Sequence, residues 1–120
     1  LLDIKPTSPS GNIAFYSGGN QQKVLFAKWI FKSPKLILLD EPTRGIDVGA
    51  KRKIYELINN LSSKGVAILL VSSELEEVMG LADRAYLVKE GETINEIIPY
   101  QTSIDNVLFE LFGAEKVSNE

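Results

Sequence analysis

Four apolar residues running straight into two acids, Leu36-Ile37-Leu38-Leu39-Asp40-Glu41, constrain the fold of this chain more than any other stretch. An apolar run without polar alternation is the pattern of a strand covered on both faces, as in a parallel sheet. A second run, Val66 to Val71, repeats it. Between the two, Ile54, Leu57, Ile58 and Leu61 recur at helical spacing, with Asp47 placed to cap that helix and Lys64-Gly65 to end it. A short helix from Glu74 to about Met79 leads to a third strand, Ala85-Tyr86-Leu87-Val88. Strand, helix, strand, helix, strand predicts an α/β fold with a parallel sheet.

The flanks are simpler. Residues 1–15 hold Pro6, Ser8, Pro9, Ser10 and Gly11 and read as irregular linker. A helix is predicted over 20–32, mostly apolar apart from Lys23, Lys28 and Lys32, and Ser33-Pro34 stops it. Glu90-Gly91 turns the third strand into a hairpin with Thr93 to Ile98. After Pro99 a last amphipathic helix is predicted, capped by Ser103, with Val107, Leu108, Leu111 and Phe112 on its apolar side.

At 120 residues the chain is at most one domain, and its opening on Leu1-Leu2-Asp3 rather than Met reads as a piece of something longer. With 44% hydrophobic and 24% charged residues it can bury an ordinary core. A net charge of −3 argues against nucleic acid as the main partner. There is no cysteine, hence no disulfide framework, thiolate metal site or thiol nucleophile. There is no histidine either, so any chemistry must use carboxylates, hydroxyls, amines or backbone groups. The run 66–71 is far too short to cross a bilayer.

Two stretches are candidates for chemistry. Asp40 and Glu41 fall at the carboxyl end of a predicted parallel strand, where open α/β sheets bind ligands. An Asp there can hold Mg²⁺ through water, and a neighbouring Glu can polarise a water for attack on a phosphoryl group. Taken singly, a buried strand running into an acidic turn explains the run as well or better. Phe15-Tyr16-Ser17-Gly18-Gly19-Asn20-Gln21-Gln22-Lys23 is the second stretch. Its glycines allow close backbone approach, and a helix start offers free N–H groups to a phosphate. A capped helix start with no ligand fits it too. A phosphate loop of the form Gly-x-x-x-x-Gly-Lys-Ser/Thr is absent. Gly45 to Lys51 is a decoy, one residue short between its glycines, with Ala50 before the lysine and an acidic first helical turn expected behind it.

Order and spacing join these weak signals. YSGGNQQKVLFAKW, then LILLDEPTRGIDVGAK, then ILLVSSELEEV resembles the C-terminal half of an ABC-type ATPase domain, from about Leu2 to Gly91. SGGNQQK and EPTRGIDVGAK look most like the second nucleotide-binding domain of tandem ATPases that power import of ribose, galactose and xylose. The resemblance implies a partial P-loop NTPase core, a mostly parallel sheet with flanking helices and a C-terminal hairpin plus helix. It divides the chain into a linker or end of a helical subdomain (1–15), the ATPase part (16–98) and a C-terminal helix and tail (99–120). The phosphate loop and its strand would lie before residue 1, leaving a gap in the sheet between the strands at 66–71 and 85–88.

By the same resemblance, Ser17, Gly18, Gly19, Asn20 and Gln21 belong to the signature motif, with Tyr16 where Leu is usual. Asp40 takes the Mg²⁺ role, Glu41 the general-base role, and Arg44-Gly45-Ile46-Asp47 matches the D-loop, which crosses the dimer interface. Ser73 stands at the switch position, where a histidine is common. A serine cannot carry positive charge or shuttle a proton near neutral pH, so the site holding Glu41 is expected to be impaired. ATP and Mg²⁺ are the implied ligands. The implied partners are a second ATPase domain, membrane permease subunits and, indirectly, an external sugar-binding protein, with the chain at the cytoplasmic face of the membrane. A soluble ABC ATPase with a non-transport role and a non-catalytic interaction module are the competing readings. The fragment alone is expected to be inactive.

Overall fold

The computed structural model describes Ala27 and residues 33–113. The chain divides into two compact units, 1–71 and 72–120. The linker and signature stretch lie outside the described residues. So does the helix expected over 20–32, except for Ala27, which is helical.

In the first unit, strand β1 (Leu36–Asp40) is followed by helix α1 (Val48–Ser63) and strand β2 (Ala67–Val71). β1 and β2 pair in parallel, with register running from Leu36 opposite Ala67 to Asp40 opposite Val71. α1 starts where Asp47 accepts a hydrogen bond from the Ala50 N–H at 2.9 Å. It ends in paired back-bonds, Gly65 N–H to Ser62 O at 2.9 Å and Val66 N–H to Leu61 O at 3.2 Å. Gly65 takes φ +88°, the left-handed geometry such an ending requires. Ile54, Ile58 and Leu61 form its buried stripe and share the core with Ile37.

Among the described residues, only one face of this sheet is covered. Side chains alternate across a strand, so Ile37 and Leu39 turn inward while Leu36 and Leu38 stay 55% and 67% exposed. On β2, Leu69 and Val71 are exposed in the same way. The expectation of strands covered on both faces is therefore corrected: a single helix can cover one face of a two-stranded sheet and no more. The expected acidic first turn of α1 is corrected too, since its one acid, Asp47, is the cap and the first turn holds none.

The second unit runs from helix α2 (Leu75–Leu81) through strands β3 (Ala85–Lys89) and β4 (Glu92–Ile97) to a 3-10 turn (Pro99–Gln101) and helix α3 (Ile104–Phe112). β3 and β4 form an antiparallel hairpin. Its two turn residues, Glu90 and Gly91, both have positive φ, the hand that matches strand twist. The register shifts beyond Leu87: it faces Asn95 while Val88 faces Thr93, leaving Ile94 as the extra residue of a bulge. Ala85, Leu87, Ile97 and Val107 make the core, with Leu75, Val78, Met79 and Leu111 packed around it. The Ser103 hydroxyl caps α3 by accepting from the Asn106 N–H at 3.2 Å. Phe112, assigned to the apolar side of this helix, is half exposed, whereas Val107 is wholly buried.

The strands thus form two separate pairs, β1–β2 and β3–β4. β2 and β3 fall in different sheets. Among the described residues, no helix is long and apolar enough to cross a membrane.

Candidate functional site

The carboxyl end of β1 holds the densest group of expected site residues. Asp40 is the last strand residue, exposed and in register with Val71. One residue on, the Glu41 N–H donates to the Val71 carbonyl at 2.8 Å, carrying the parallel ladder past the strand end. Glu41 itself has φ +47°, a left-handed backbone that an L residue with a side chain adopts only at a cost. Pro42 behind it is buried. The backbone then folds into successive turns, with the Arg44 N–H donating to Glu41 O at 3.2 Å and the Ile46 N–H to Thr43 O at 3.3 Å.

Two residues hold those turns. Thr43 is 1% exposed and anchors the loop in the core of its unit. Gly45 takes φ +72°, yet a Cβ there would meet nothing within 4 Å, so glycine answers to the backbone angle and not to crowding. Asp47 closes the segment as the α1 cap. The expected D-loop aspartate therefore has a visible structural use: its carboxylate is bonded to the helix it starts.

The structure thus brings Asp40, Glu41, Gly45, Ile46 and Asp47 together within one loop of one unit. Ser73 belongs to the second unit and is exposed, just before α2. Its neighbour Ser72 is occupied locally, accepting the Glu74 N–H at 3.0 Å. Ser17, Gly18, Gly19, Asn20 and Gln21 lie outside the described residues. Sequence reasoning missed Thr43 and Glu77, the latter a carboxylate only 3% exposed in α2. The signal for Thr43 was weak, a hydroxyl after a proline. Glu77 carried none, because nothing local distinguishes it from the exposed Glu76.

Metal chemistry at this end rests on few donors. No group of three or more metal-ligating side chains forms among the described residues. An exposed carboxylate at a strand end still fits Mg²⁺, which keeps most of its waters and takes one or two carboxylates plus substrate phosphates. Asp40 is an exposed carboxylate of that kind, and Glu41 follows it directly.

Known proteins match this arrangement. A family model described as "ABC transporter" matches residues 1–44. A ribose import ATP-binding protein of Bacillus subtilis (strain 168) is 51% identical over 107 residues, covering 89% of this chain and 22% of that protein. The chain is homologous to sugar-import ATP-binding proteins. A xylose import ATP-binding protein of Geobacillus kaustophilus (strain HTA426) is 47% identical over 107 residues, again 89% of this chain and 21% of the relative. The chain thus spans about one-fifth of the length of the curated relatives it matches. A nucleotide-free ATP-binding cassette from an ABC transporter superposes with a TM-score of 0.69 at 26% identity, covering 88% of this chain and 40% of that one. A dimeric ATP-binding cassette in a post-hydrolysis state, bound to ADP and Pi, superposes with a TM-score of 0.62 at 30% identity, over 69% of this chain and 36% of that one. The fold is that of part of an ABC ATPase cassette.

Proposed function

We propose that this chain is the C-terminal part of the second ATPase domain of a protein that couples ATP hydrolysis to monosaccharide import. The observation that carries the reading is the β1 end: a parallel pair whose ladder is prolonged to Glu41, presenting Asp40 and Glu41 where a nucleotide's phosphates and Mg²⁺ would lie. Names of the homologues as ribose and xylose import ATP-binding proteins supply the transported class.

In this reading residues 16–98 are ATPase domain and 99–120 a C-terminal helix and tail. Asp40 would hold Mg²⁺, and the metal would supply charge neutralisation on the phosphates. Glu41 orients and takes a proton from the attacking water. Gly45, Ile46 and Asp47 run along the interface with a second ATPase domain. Ser17 to Gln21 close over a nucleotide held by that other domain, so the fragment is half of a site. A dimeric relative of known structure, bound to ADP and Pi, supports a two-domain arrangement. Permease subunits hold the whole at the cytoplasmic membrane face, and an external sugar-binding protein delivers substrate.

Ser73 makes the Glu41 site the weaker of the two, because a serine supplies a hydrogen bond but no cation to the γ-phosphate. The test uses the full-length protein with its permease. Glu41→Gln is expected to leave most sugar-stimulated ATPase activity in place, whereas Gly18→Asp in the signature is expected to remove most of it. Near-complete loss in the Glu41 variant refutes the asymmetry, and absence of sugar-stimulated ATP hydrolysis in the unaltered protein refutes the function.

A further inference from the structure

The loop from Glu41 to Asp47 is tied at both ends. At its start the Glu41 N–H donates to Val71 O at 2.8 Å, and at its close Asp47 accepts from the Ala50 N–H at 2.9 Å. Between those ties the backbone holds unfavourable shapes. Glu41 has φ +47° although a proline follows it, and the residue before a proline is normally pushed to extended backbone. Gly45 has φ +72°. Such a cluster persists only where the surroundings over-determine it. Midway stand Pro42 and Thr43, the two buried residues of the loop, while Arg44, Gly45 and Asp47 are exposed.

Thr43 is a particular choice of anchor. Among the described residues of its unit, Thr43 and Ile54 are the largest wholly buried side chains. Valine has nearly the same shape and would fill the space with no polar atom, whereas a buried hydroxyl is unfavourable unless it is hydrogen-bonded. The Thr43 carbonyl accepts the Ile46 N–H at 3.3 Å, and the residue is engaged in a further interaction besides. A hydrogen bond fixes direction, which apolar packing alone does not.

We propose that Thr43 is a positioning residue for ATP hydrolysis. Its buried hydroxyl fixes the middle of the loop between β1 and α1, so that Gly45, Ile46 and Asp47 meet the second ATPase domain in one shape. Thr43 itself touches no nucleotide and acts through those three residues. This rests on the proposed ATPase function and deepens it by naming what holds the interface loop.

The test uses the full-length protein with its permease and compares Thr43→Val, Thr43→Ser and Ile58→Ala, the last loosening the same unit from beneath α1. Thr43→Val is expected to lower kcat for sugar-stimulated ATP hydrolysis by about tenfold with KM for ATP nearly unchanged, since placement and not nucleotide binding is lost. Thr43→Ser keeps the hydroxyl and is expected to stay within about threefold of the parent. Ile58→Ala is expected to keep the parent kcat per folded molecule. Amide exchange in the same proteins is expected to quicken about tenfold in Thr43→Val across 41–47 alone, and in Ile58→Ala across 54–63 as well. The assignment is overturned if Thr43→Val keeps the parent kcat, if Thr43→Ser is as impaired as Thr43→Val, or if Ile58→Ala loses as much. Exchange that quickens equally over both segments in Thr43→Val overturns it too, because Thr43 is then only a core residue. If the unaltered protein hydrolyses no ATP, the proposed function fails, while the exchange comparison still decides whether Thr43 holds the loop.

Discussion

Asp47 shows how a residue can serve two ends. Its carboxylate accepts the Ala50 N–H and starts α1, which is a stability role, and the same residue stands at the D-loop position, which is an interface role in the proposed function. The two separate by substitution. Asn caps helices about as well as Asp, whereas Ala leaves the N–H without an acceptor, at a cost of about 1 kcal/mol. Denaturant unfolding of the chain is expected to show Asp47→Asn close to the parent and Asp47→Ala destabilised by that amount. If Asn loses as much as Ala, the charge and not the cap supports the helix. This cap was legible in the sequence because capping is local chemistry: an Asp three residues before the amide it accepts. The left-handed Glu41 was not. Its amide is bonded to the carbonyl of Val71, thirty positions along the chain, and no local preference encodes such a partner.

The elements divide the same way. α1 was readable because its core contacts repeat at helical spacing, and Ile54, Ile58 and Leu61 are the ones buried. Ile54 is fully buried beneath the helix, so Ile54→Ala removes methyl groups from a site with no water to replace them. A loss of about 2–5 kcal/mol is expected, read from the midpoint of urea unfolding at constant slope. A loss below about 1 kcal/mol would mean that the α1 core collapses onto the space and carries little of the stability of its unit. The hairpin was equally plain from Glu90-Gly91, since two residues of positive φ leave few other turns. Its bulge at Ile94 was hidden, because register depends on which residues pack beneath the sheet, here Leu87 and Ile97 against Val107. The 3-10 turn at Pro99–Gln101 was hidden for a like reason: its one buried residue, Pro99, read in the sequence only as a break before the last helix.

At the scale of the whole molecule, the largest difference between sequence and structure is the outer face of β1–β2. The apolar run predicted a doubly covered strand, and the pattern was sound for a chain that goes on to build a second layer. Here Leu36, Leu38, Leu69 and Val71, all more than half exposed, make a continuous apolar surface on a two-stranded sheet. Relatives about five times longer have ample chain to cover such a face. Where water contacts it, burying apolar area returns about 25 cal/mol per Å². Among the described residues, β1 and β2 also each have one unpaired edge, which invites further strands. The chain on its own is therefore expected to self-associate through this sheet, with an elution volume in size-exclusion chromatography that shifts toward the monomer on dilution. Leu38→Lys places a charge at the centre of the face without touching the α1 core, so it is expected to raise the monomer fraction while leaving helical circular dichroism intact. A parent chain that elutes as a monomer at every concentration would mean that residues outside 33–113 cover the face in solution. Leu38→Lys would then lower stability rather than change assembly, because the charge would be buried beneath that cover.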